Sequence, residues 1–144
     1  MSVVILTIDK IPLTAKPGTT IHQAARSVGI HIPTLCAMTE IGHTPGACRV
    51  CVVEVEGQRT LVASCVFPVT EGMVVRTNTE RVRAARKMVV ELLLANHPAE
   101  CTSCVRNGNC ELQRVAEQVG VRESRFFTEF PPRDKVIDAS SPTI

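Results

Sequence analysis

Apolar runs in the first half of the chain predict a small β-rich unit. VVILTI (Val3 to Ile8) predicts a strand, a turn follows at Asp9 to Ile11, and a returning strand is expected over Pro12 to Lys16. CVVEVEG and TLVAS predict a hairpin that turns at Gly57-Gln58, and MVVRT (Met73 to Thr77) predicts a last strand. Four or five strands in this order, with one helix between them, indicate a compact α+β sheet domain.

The helix of this unit is predicted from a 3.6-residue periodicity between Thr20 and Val28. Thr20 is a suitable N-cap, and Gly29 can adopt the left-handed conformation that ends a helix. From Ile30 to Val50 the periodicity is lost, and we expect a loop. The apolar positions that share one face of the helix are Ile21, Ala24, Ala25 and Val28.

The second half of the chain is predicted to be helical. A long helix is expected over Glu80 to Asn96, capped by Asn78 or Thr79 and ended by His97-Pro98, because the residue before a proline avoids the α region. We expect one face of this helix to be solvated and the other apolar. The solvated face comprises Arg81, Arg83, Arg86 and Lys87; the apolar face comprises Val82, Ala85, Val89, Leu92 and Leu93.

A shorter helix is predicted from about Glu111 to Val119, capped by Asn109 and ended by Gly120. The change of periodicity after Asn78 predicts two domains, residues 1–78 and residues 79–144. Beyond them, Phe126, Phe127 and Phe130 are more apolar than a free tail requires, so we expect them to pack on the second domain or on a neighbouring subunit.

Composition limits the possible functions. Hydrophobic residues make up 44% of the chain but aromatic residues only 3%, which predicts thin cores of the kind that bound metals often stabilise. The net charge is +2 with both signs interspersed, so we expect no nucleic-acid partner. The apolar runs are too short for a signal peptide or a membrane span, which favours a cytoplasmic protein without direct membrane insertion. In that compartment, seven cysteines indicate metal ligands rather than disulfides.

Four of the cysteines fall in the β-rich part with the spacing C-x11-C-x2-C-x13-C, and four thiolates can complete a metal site. Zinc ribbons usually have two short cysteine pairs, whereas here only one pair is short, a spacing closer to that of a [2Fe-2S] ferredoxin. The short pair lies in PGACRVC, where small residues allow backbone N–H groups to turn toward sulfur. A structural zinc site is the alternative. The four cysteines are Cys36, Cys48, Cys51 and Cys65.

The remaining three cysteines lie in HPAECTSCVRNGNC, spaced C-x2-C-x5-C, and need a fourth ligand. His97 precedes the first of them by four residues, and imidazole replaces thiolate in known iron-sulfur sites, so His97 is our candidate. Water, a carboxylate such as Glu100, or an open position are the alternatives, and the three thiols could also form a redox-sensing set. We expect His22, His31 and His43 to be ordinary surface or core residues. The three cysteines are Cys101, Cys104 and Cys110.

Together, CAMTEIGHTPGACRVC, GACRVCVVEVEG and H-x3-C-x2-C-x5-C resemble the N-terminal electron-transfer region of the complex I 75-kDa subunit family. The same region occurs in iron-only (NADH-dependent) hydrogenases and in NAD-linked formate dehydrogenase catalytic subunits. The resemblance covers nearly the whole chain. It implies a β-grasp, plant-type ferredoxin-like [2Fe-2S] domain with Cys36, Cys48, Cys51 and Cys65 as ligands. It also implies a small helical domain whose [4Fe-4S] cluster is held by His97, Cys101, Cys104 and Cys110.

The predicted function is therefore electron transfer by iron-sulfur clusters. The chain carries no GxGxxG, P-loop or GxSxG motif, so we expect no catalytic residue and interpret it as an electron carrier within an oxidoreductase complex. The implied partners are a flavin- or NAD(P)H-binding iron-sulfur subunit and a hydrogenase or formate dehydrogenase catalytic unit. A zinc-stabilised interaction module is the competing hypothesis. The sequence agrees equally with a region of a longer enzyme and with a separate subunit.

Overall fold

The computed structural model describes residues 3–98 and 100–126, so the expectations for Phe127 and Phe130 lie outside the described residues. A five-stranded mixed sheet forms the first part of the chain, with the strand order β2-β1-β5-β3-β4. β1 pairs with β5 in parallel, and the other neighbouring pairs are antiparallel. The strands are β1 (Val4–Ile8), β2 (Ile11–Ala15), β3 (Val52–Val55), β4 (Val62–Ala63) and β5 (Val74–Arg76).

The first hairpin is tighter than the sequence predicted. Asp9 and Lys10 alone form its loop, with φ values of 48° and 70°, and Ile8 pairs directly with Ile11. Two successive left-handed residues match the twist of the flanking strands, which is why two-residue hairpin loops favour this conformation. β2 therefore begins at Ile11, one residue earlier than expected.

Helix α1 (Ile21–Ser27) packs on the sheet as its periodicity predicted. The side chain of Thr20 accepts a hydrogen bond from the Gln23 N–H, and the Gln23 side chain accepts one from the Thr20 N–H, which completes a capping box. Gly29 has a φ of 77° after the helix, as expected. The core beneath α1 is formed by aliphatic side chains from the helix and the sheet, including Leu6, Ile8, Ile21, Ala25, Val53 and Val75.

Helix α2 (Glu80–Ala95) begins at the predicted cap Thr79, whose side chain accepts a hydrogen bond from the Val82 N–H. Its buried face differs from the prediction. Arg86, predicted on the solvated face, is buried, and Leu92, predicted on the apolar face, is 46% exposed. The buried stripe of α2 comprises Val82, Arg86 and Val90, at intervals of four residues. The buried face of the helix therefore includes the arginine.

Helix α3 (Glu111–Gln118) ends before Gly120 as predicted, but its N-cap is Cys110 and not Asn109. No side chain caps this helix. Instead, Gln113 accepts a hydrogen bond from the Gly108 N–H and donates one to the Asn107 side chain, which organises the preceding turn. None of the helices that the structure describes is long and apolar enough to cross a membrane.

A second hydrophobic cluster joins the two parts of the chain. Val50, which belongs to the cysteine-bearing loop before β3, packs with Val90 of α2 and with Val115 and Ala116 of α3. Val121, after α3, completes the buried set. The helical part therefore packs directly against the loop that carries Cys48 and Cys51.

Candidate metal centre

The four cysteines of the first set come from three separate segments of the chain. Cys36 lies in the loop after α1, Cys48 and Cys51 lie in the loop before β3, and Cys65 follows β4. Cys51 and Cys65 are 0% exposed, whereas Cys36 and Cys48 are partly exposed. One side of the set therefore faces the protein interior and the other faces the surface.

Ser64 fixes the segment of Cys65 against the segment of Cys51. Its hydroxyl and its backbone N–H both donate to the Cys51 carbonyl, at 2.8 Å and 3.2 Å. The Ser64 carbonyl in turn accepts a hydrogen bond from the His22 N–H in the first turn of α1, at 3.0 Å. The capped helix thus holds the two buried cysteines in place through a single buried serine.

Backbone N–H groups surround the two partly exposed cysteines. The Cys48 N–H donates to Sγ of Cys36 at 3.4 Å. Gly46 and Arg49, on either side of Cys48, have φ values of 65° and 60°. Left-handed residues in such a loop turn successive N–H groups toward one side, and concave sets of N–H groups bind anions. The sequence prediction for PGACRVC is consistent with this arrangement.

These contacts favour the thiolate form of Cys48. Burial raises the pKa of this thiol, but hydrogen bonds with the backbones of Val50, Leu35 and Cys36 outweigh it and leave the pKa below the ordinary value. The thiolate is the form that binds metal. The loop therefore stabilises negative charge on the Cys48 sulfur.

Cys65 shows that the four sulfurs are close enough to interact. Burial raises its pKa to about 12, together with a hydrogen bond to Cys51 and the negative charges of Cys51, Cys36 and Cys48. Four thiolates crowded in this way repel one another unless cations neutralise them. An iron-sulfur cluster supplies that positive charge at four cysteines, so the donor set fits the group that the sequence predicted.

The second set lies on a surface loop between α2 and α3. His97 follows the C-cap of α2, and its N–H donates to the Leu94 carbonyl at 3.1 Å. Cys101 begins a 3-10 turn, Cys104 follows that turn, and Cys110 is the N-cap of α3. His97, Cys101 and Cys104 are exposed, and Cys110 is partly buried.

Local hydrogen bonds shape this loop around its sulfur atoms. The Arg106 N–H donates to Sγ of Cys104 at 3.5 Å, and the Cys104 N–H donates to the Cys101 carbonyl at 3.1 Å. An N–H group aimed at sulfur is the contact expected in a cluster-binding loop. Grouping His97 with the three cysteines around one centre stays a prediction.

Over residues 3–98 and 100–126, no three His, Cys, Asp or Glu side chains converge closely enough to hold a single metal ion. A cluster does not require such convergence, because its protein ligands are distributed over two or four iron atoms that sulfide bridges. Sets of cysteines that are near one another without meeting at a point are compatible with cluster binding.

Sequence reasoning missed one charged side chain near the first set. Nη2 of Arg86 donates to the carbonyl of Val52, the residue after Cys51, at 2.9 Å. The signal was present in the sequence, because Arg86 lies four residues from both Val82 and Val90 on the buried stripe. The charge of Arg86 favours a solvated position, whereas its position on the helix favours burial.

Comparison with known proteins identifies both parts of the chain. Residues 2–80 match the family described as the 2Fe-2S iron-sulfur cluster binding domain. Residues 86–125 match the NADH-ubiquinone oxidoreductase-G iron-sulfur binding region. Both predicted clusters are confirmed by these matches, and so is the resemblance to the complex I 75-kDa subunit family.

Two curated relatives cover most of this chain. The NADP-reducing hydrogenase subunit HndD of Solidesulfovibrio fructosivorans is 48% identical over 130 residues, which are 88% of this chain and 22% of that protein. The mitochondrial NADH-ubiquinone oxidoreductase 78 kDa subunit of Candida albicans is 40% identical over 121 residues, 84% of this chain and 17% of that protein. This chain therefore spans less than a quarter of the length of either relative.

A solved structure confirms the fold. In the crystal structure of an NAD+-reducing [NiFe]-hydrogenase in the H2-reduced state, one chain is 36% identical and superposes with a TM-score of 0.83. The match covers 96% of this chain and 57% of that chain. The protein belongs to the family of 2Fe-2S iron-sulfur cluster binding domains, and its second part carries the NADH-ubiquinone oxidoreductase-G iron-sulfur binding region.

Proposed function

We propose that this chain relays single electrons between two iron-sulfur clusters in a larger oxidoreductase. The [2Fe-2S] cluster is assigned to four cysteines of the first domain, residues 1–78, and the [4Fe-4S] cluster to one histidine and three cysteines of the second, residues 79–144. The relatives named above are subunits of hydrogenase and NADH oxidoreductase complexes, which supports this proposal. The assigned ligands are Cys36, Cys48, Cys51 and Cys65 for the first, and His97, Cys101, Cys104 and Cys110 for the second.

The observation that carries the proposal is that the fold brings together three segments that hold the four cysteines of the first set. The Cys48 N–H donates to Sγ of Cys36 at 3.4 Å, and the hydroxyl of Ser64, beside Cys65, donates to the Cys51 carbonyl at 2.8 Å. Cys36 lies 29 positions before Cys65 in the chain. The two interact only because the fold brings three segments together. Thiols without a common function have no need to lie near one another. A shared bound group gives the physical reason for it, because its positive charge offsets the repulsion between thiolates.

The chain contributes ligands, hydrogen bonds and the exclusion of water. When bound, the clusters supply the one-electron chemistry. Cys51 and Cys65 lie against the hydrophobic core, which shields one side of the first site from solvent. Cys36 and Cys48 lie on the more open side, which suits exchange of electrons with a partner. Hydrogen bonds to sulfur stabilise negative charge there and so affect the reduction potential.

The loop that carries the second set of proposed ligands lies at the surface, next to the helical part. Helices α2 and α3 flank this loop, and Val105 within it is 99% exposed. We propose that a flavin- or NAD(P)H-binding iron-sulfur subunit and a hydrogenase or formate dehydrogenase catalytic unit are the electron-transfer partners.

The first test is the content of iron, acid-labile sulfide and zinc in anaerobically purified protein. About six irons and six sulfides per chain are expected for one [2Fe-2S] and one [4Fe-4S] cluster. About two irons would remove the second site from the proposal. Zinc in place of iron would favour a structural module and overturn the relay.

The ligand assignments are tested separately by substitution. His97→Ala should alter or abolish the electron paramagnetic resonance signal of the [4Fe-4S] cluster and leave the [2Fe-2S] signal in place. His31→Ala is the matched control, because His31 is also exposed and is not assigned to a cluster. Cys51→Ser should have the reverse effect, with loss or change of the [2Fe-2S] signal. A His97→Ala protein with an unchanged [4Fe-4S] spectrum contradicts the assignment.

A further inference from the structure

Arg86 is a buried cation in the contact between the two parts of the chain. Arg86 is 8% exposed and lies on α2 between the buried residues Val82 and Val90. Burial in this position lowers the pKa of Arg86. Arginine nevertheless keeps its charge in proteins, so the fold carries a positive charge below its surface.

This charge has no ion-pair partner among the described residues. The ion pairs of the described chain join Arg26 to Glu40, Arg114 to Glu111 and Arg125 to Glu91, and none includes Arg86. Its Nη2 donates to the Val52 carbonyl, while Nε is buried without a hydrogen-bond partner. A buried charge without compensation is costly, so its presence requires a physical reason.

The negative groups that favour its charge point to that reason. Burial lowers the pKa of Arg86, and the negative charges of Cys51 and Asp9 oppose only part of that lowering. Asp9 is already engaged, because its two carboxylate oxygens accept hydrogen bonds from the N–H and the hydroxyl of Thr77. Cys51 is a proposed ligand of the [2Fe-2S] cluster, and the Arg86 guanidinium is bonded to the adjoining residue.

We propose that Arg86 is a fixed positive charge that raises the reduction potential of the [2Fe-2S] cluster. Reduction takes one electron from a donor and adds one negative charge to the cluster, with no bond broken and no proton required. A buried cation nearby stabilises the more negative, reduced form, because little solvent screens it. This inference rests on the proposed function, which assigns Cys51 to that cluster.

The same residue gives the helical part an influence on the cluster of the first part. Arg86 belongs to α2, whereas the carbonyl it binds belongs to β3. A displacement of α2 relative to the sheet would change the distance between the charge and the cluster. Arg86 is therefore a positioning residue that acts through its field and not through contact with the reacting atoms.

The experiment is a redox titration of the cluster-loaded full chain, followed by the paramagnetic resonance signal of the [2Fe-2S] cluster. Arg86→Met removes the charge and keeps most of the side-chain volume. It should lower the equilibrium constant for one-electron reduction by at least tenfold, which is a shift of about 59 mV to lower potential. Lys87→Met is the matched control, because it removes the same formal charge from an exposed neighbour on the same helix.

Arg86→Lys separates the charge from the hydrogen bond, and it should keep the potential near that of the unchanged protein. Equal shifts of the reduction potential in Arg86→Met and Lys87→Met would overturn the proposal. So would a reduction potential in Arg86→Lys as low as that in Arg86→Met. If Arg86→Met loses the cluster while Arg86→Lys retains it at the original potential, the charge itself is required. Loss of the cluster in both Arg86→Met and Arg86→Lys would show that Arg86 has a structural role, and it would overturn the proposal. Absence of a [2Fe-2S] signal from the unchanged protein contradicts the proposed function instead.

Discussion

Arg125 forms a bidentate ion pair with Glu91, although the two residues lie 34 positions apart in the chain. Its Nε lies 3.1 Å and 3.0 Å from the two carboxylate oxygens of Glu91, and its Nη2 lies 2.6 Å from one of them. Ser124 adds a hydrogen bond to the Glu91 carbonyl at 2.9 Å. The segment after α3 is thereby fastened to α2, in which Glu91 is only 1% exposed.

Arg125→Met should lower the melting temperature by several degrees at neutral pH, because it leaves the Glu91 carboxylate buried without its partner. The hydrogen bonds from Arg125 lower the pKa of Glu91 from its ordinary value of 4.5. The pair therefore stabilises the fold above pH 4.5, and its contribution is lost as the pH falls through the lowered value. Thermal unfolding of Arg125→Met and the unchanged protein should converge in acid. Arg122→Met, an exposed neighbour, should show no such difference.

Gly46→Ala should weaken the loop that carries Cys48. Gly46 has a φ of 65°, and a Cβ there would lie 3.1 Å from Cγ1 of Val66, next to Cys65. Gly57→Ala is the control, since its φ is 85° but a Cβ would have nothing within 4 Å. The free energy of unfolding of both variants should fall by about 1–2 kcal/mol, because alanine is strained in the left-handed conformation. Only Gly46→Ala should also lose [2Fe-2S] absorbance.

Adding Val66→Ala to Gly46→Ala tests whether the contact is responsible. Removal of the Val66 methyl groups leaves room for the new Cβ, so the double variant should regain the absorbance that Gly46→Ala lost. Equal cluster loss in Gly57→Ala, or no recovery in the double variant, would show that the close approach to Val66 is unimportant.

His22 should make the fold sensitive to mild acid. Burial lowers its pKa from 6.5, its Nε2 is 3.3 Å from the Ile32 carbonyl, and its Nδ1 is buried without a partner. A histidine held neutral in the fold binds protons more readily when unfolded, so stability should be full above pH 6.5 and decline as the pH falls below it. His22→Leu should flatten the pH dependence of the melting temperature between about pH 5 and pH 6.5. His43→Leu, at an exposed position, should leave the slope unchanged.

Val90→Ala should loosen the contact between the helical part and the cysteine loop. Val90 is fully buried and packs in the cluster that contains Val50 and Val115. Loss of two buried carbon atoms should reduce the free energy of unfolding by about 2 kcal/mol. Val105→Ala makes the same chemical change at a side chain that is 99% exposed, and it should have little effect. Denaturant unfolding of both variants provides the comparison, and equal losses would contradict the packing argument.

Much of the architecture was determined locally and could be predicted from the sequence. Thr20 and Thr79 cap their helices as predicted, because a threonine hydroxyl needs only the next turn of its own chain. Short-range patterns also predict the strands, helix α1 and the two cysteine sets. The prediction of Asn109 as a cap was wrong, since Cys110 is the N-cap of α3. The Gln113 side chain instead accepts a hydrogen bond from the Gly108 N–H in the preceding turn.

The sequence by itself determined which residues could bind clusters, because ligand chemistry depends on residue type and spacing. It did not determine the environment of those ligands. The burial of Arg86, the pairing of Glu91 with Arg125 and the exposure of Leu92 arise from contacts between segments far apart in the chain. Only the tertiary structure decides such contacts, because a helix can turn its polar or its apolar side inward according to what the neighbouring strand and loop offer.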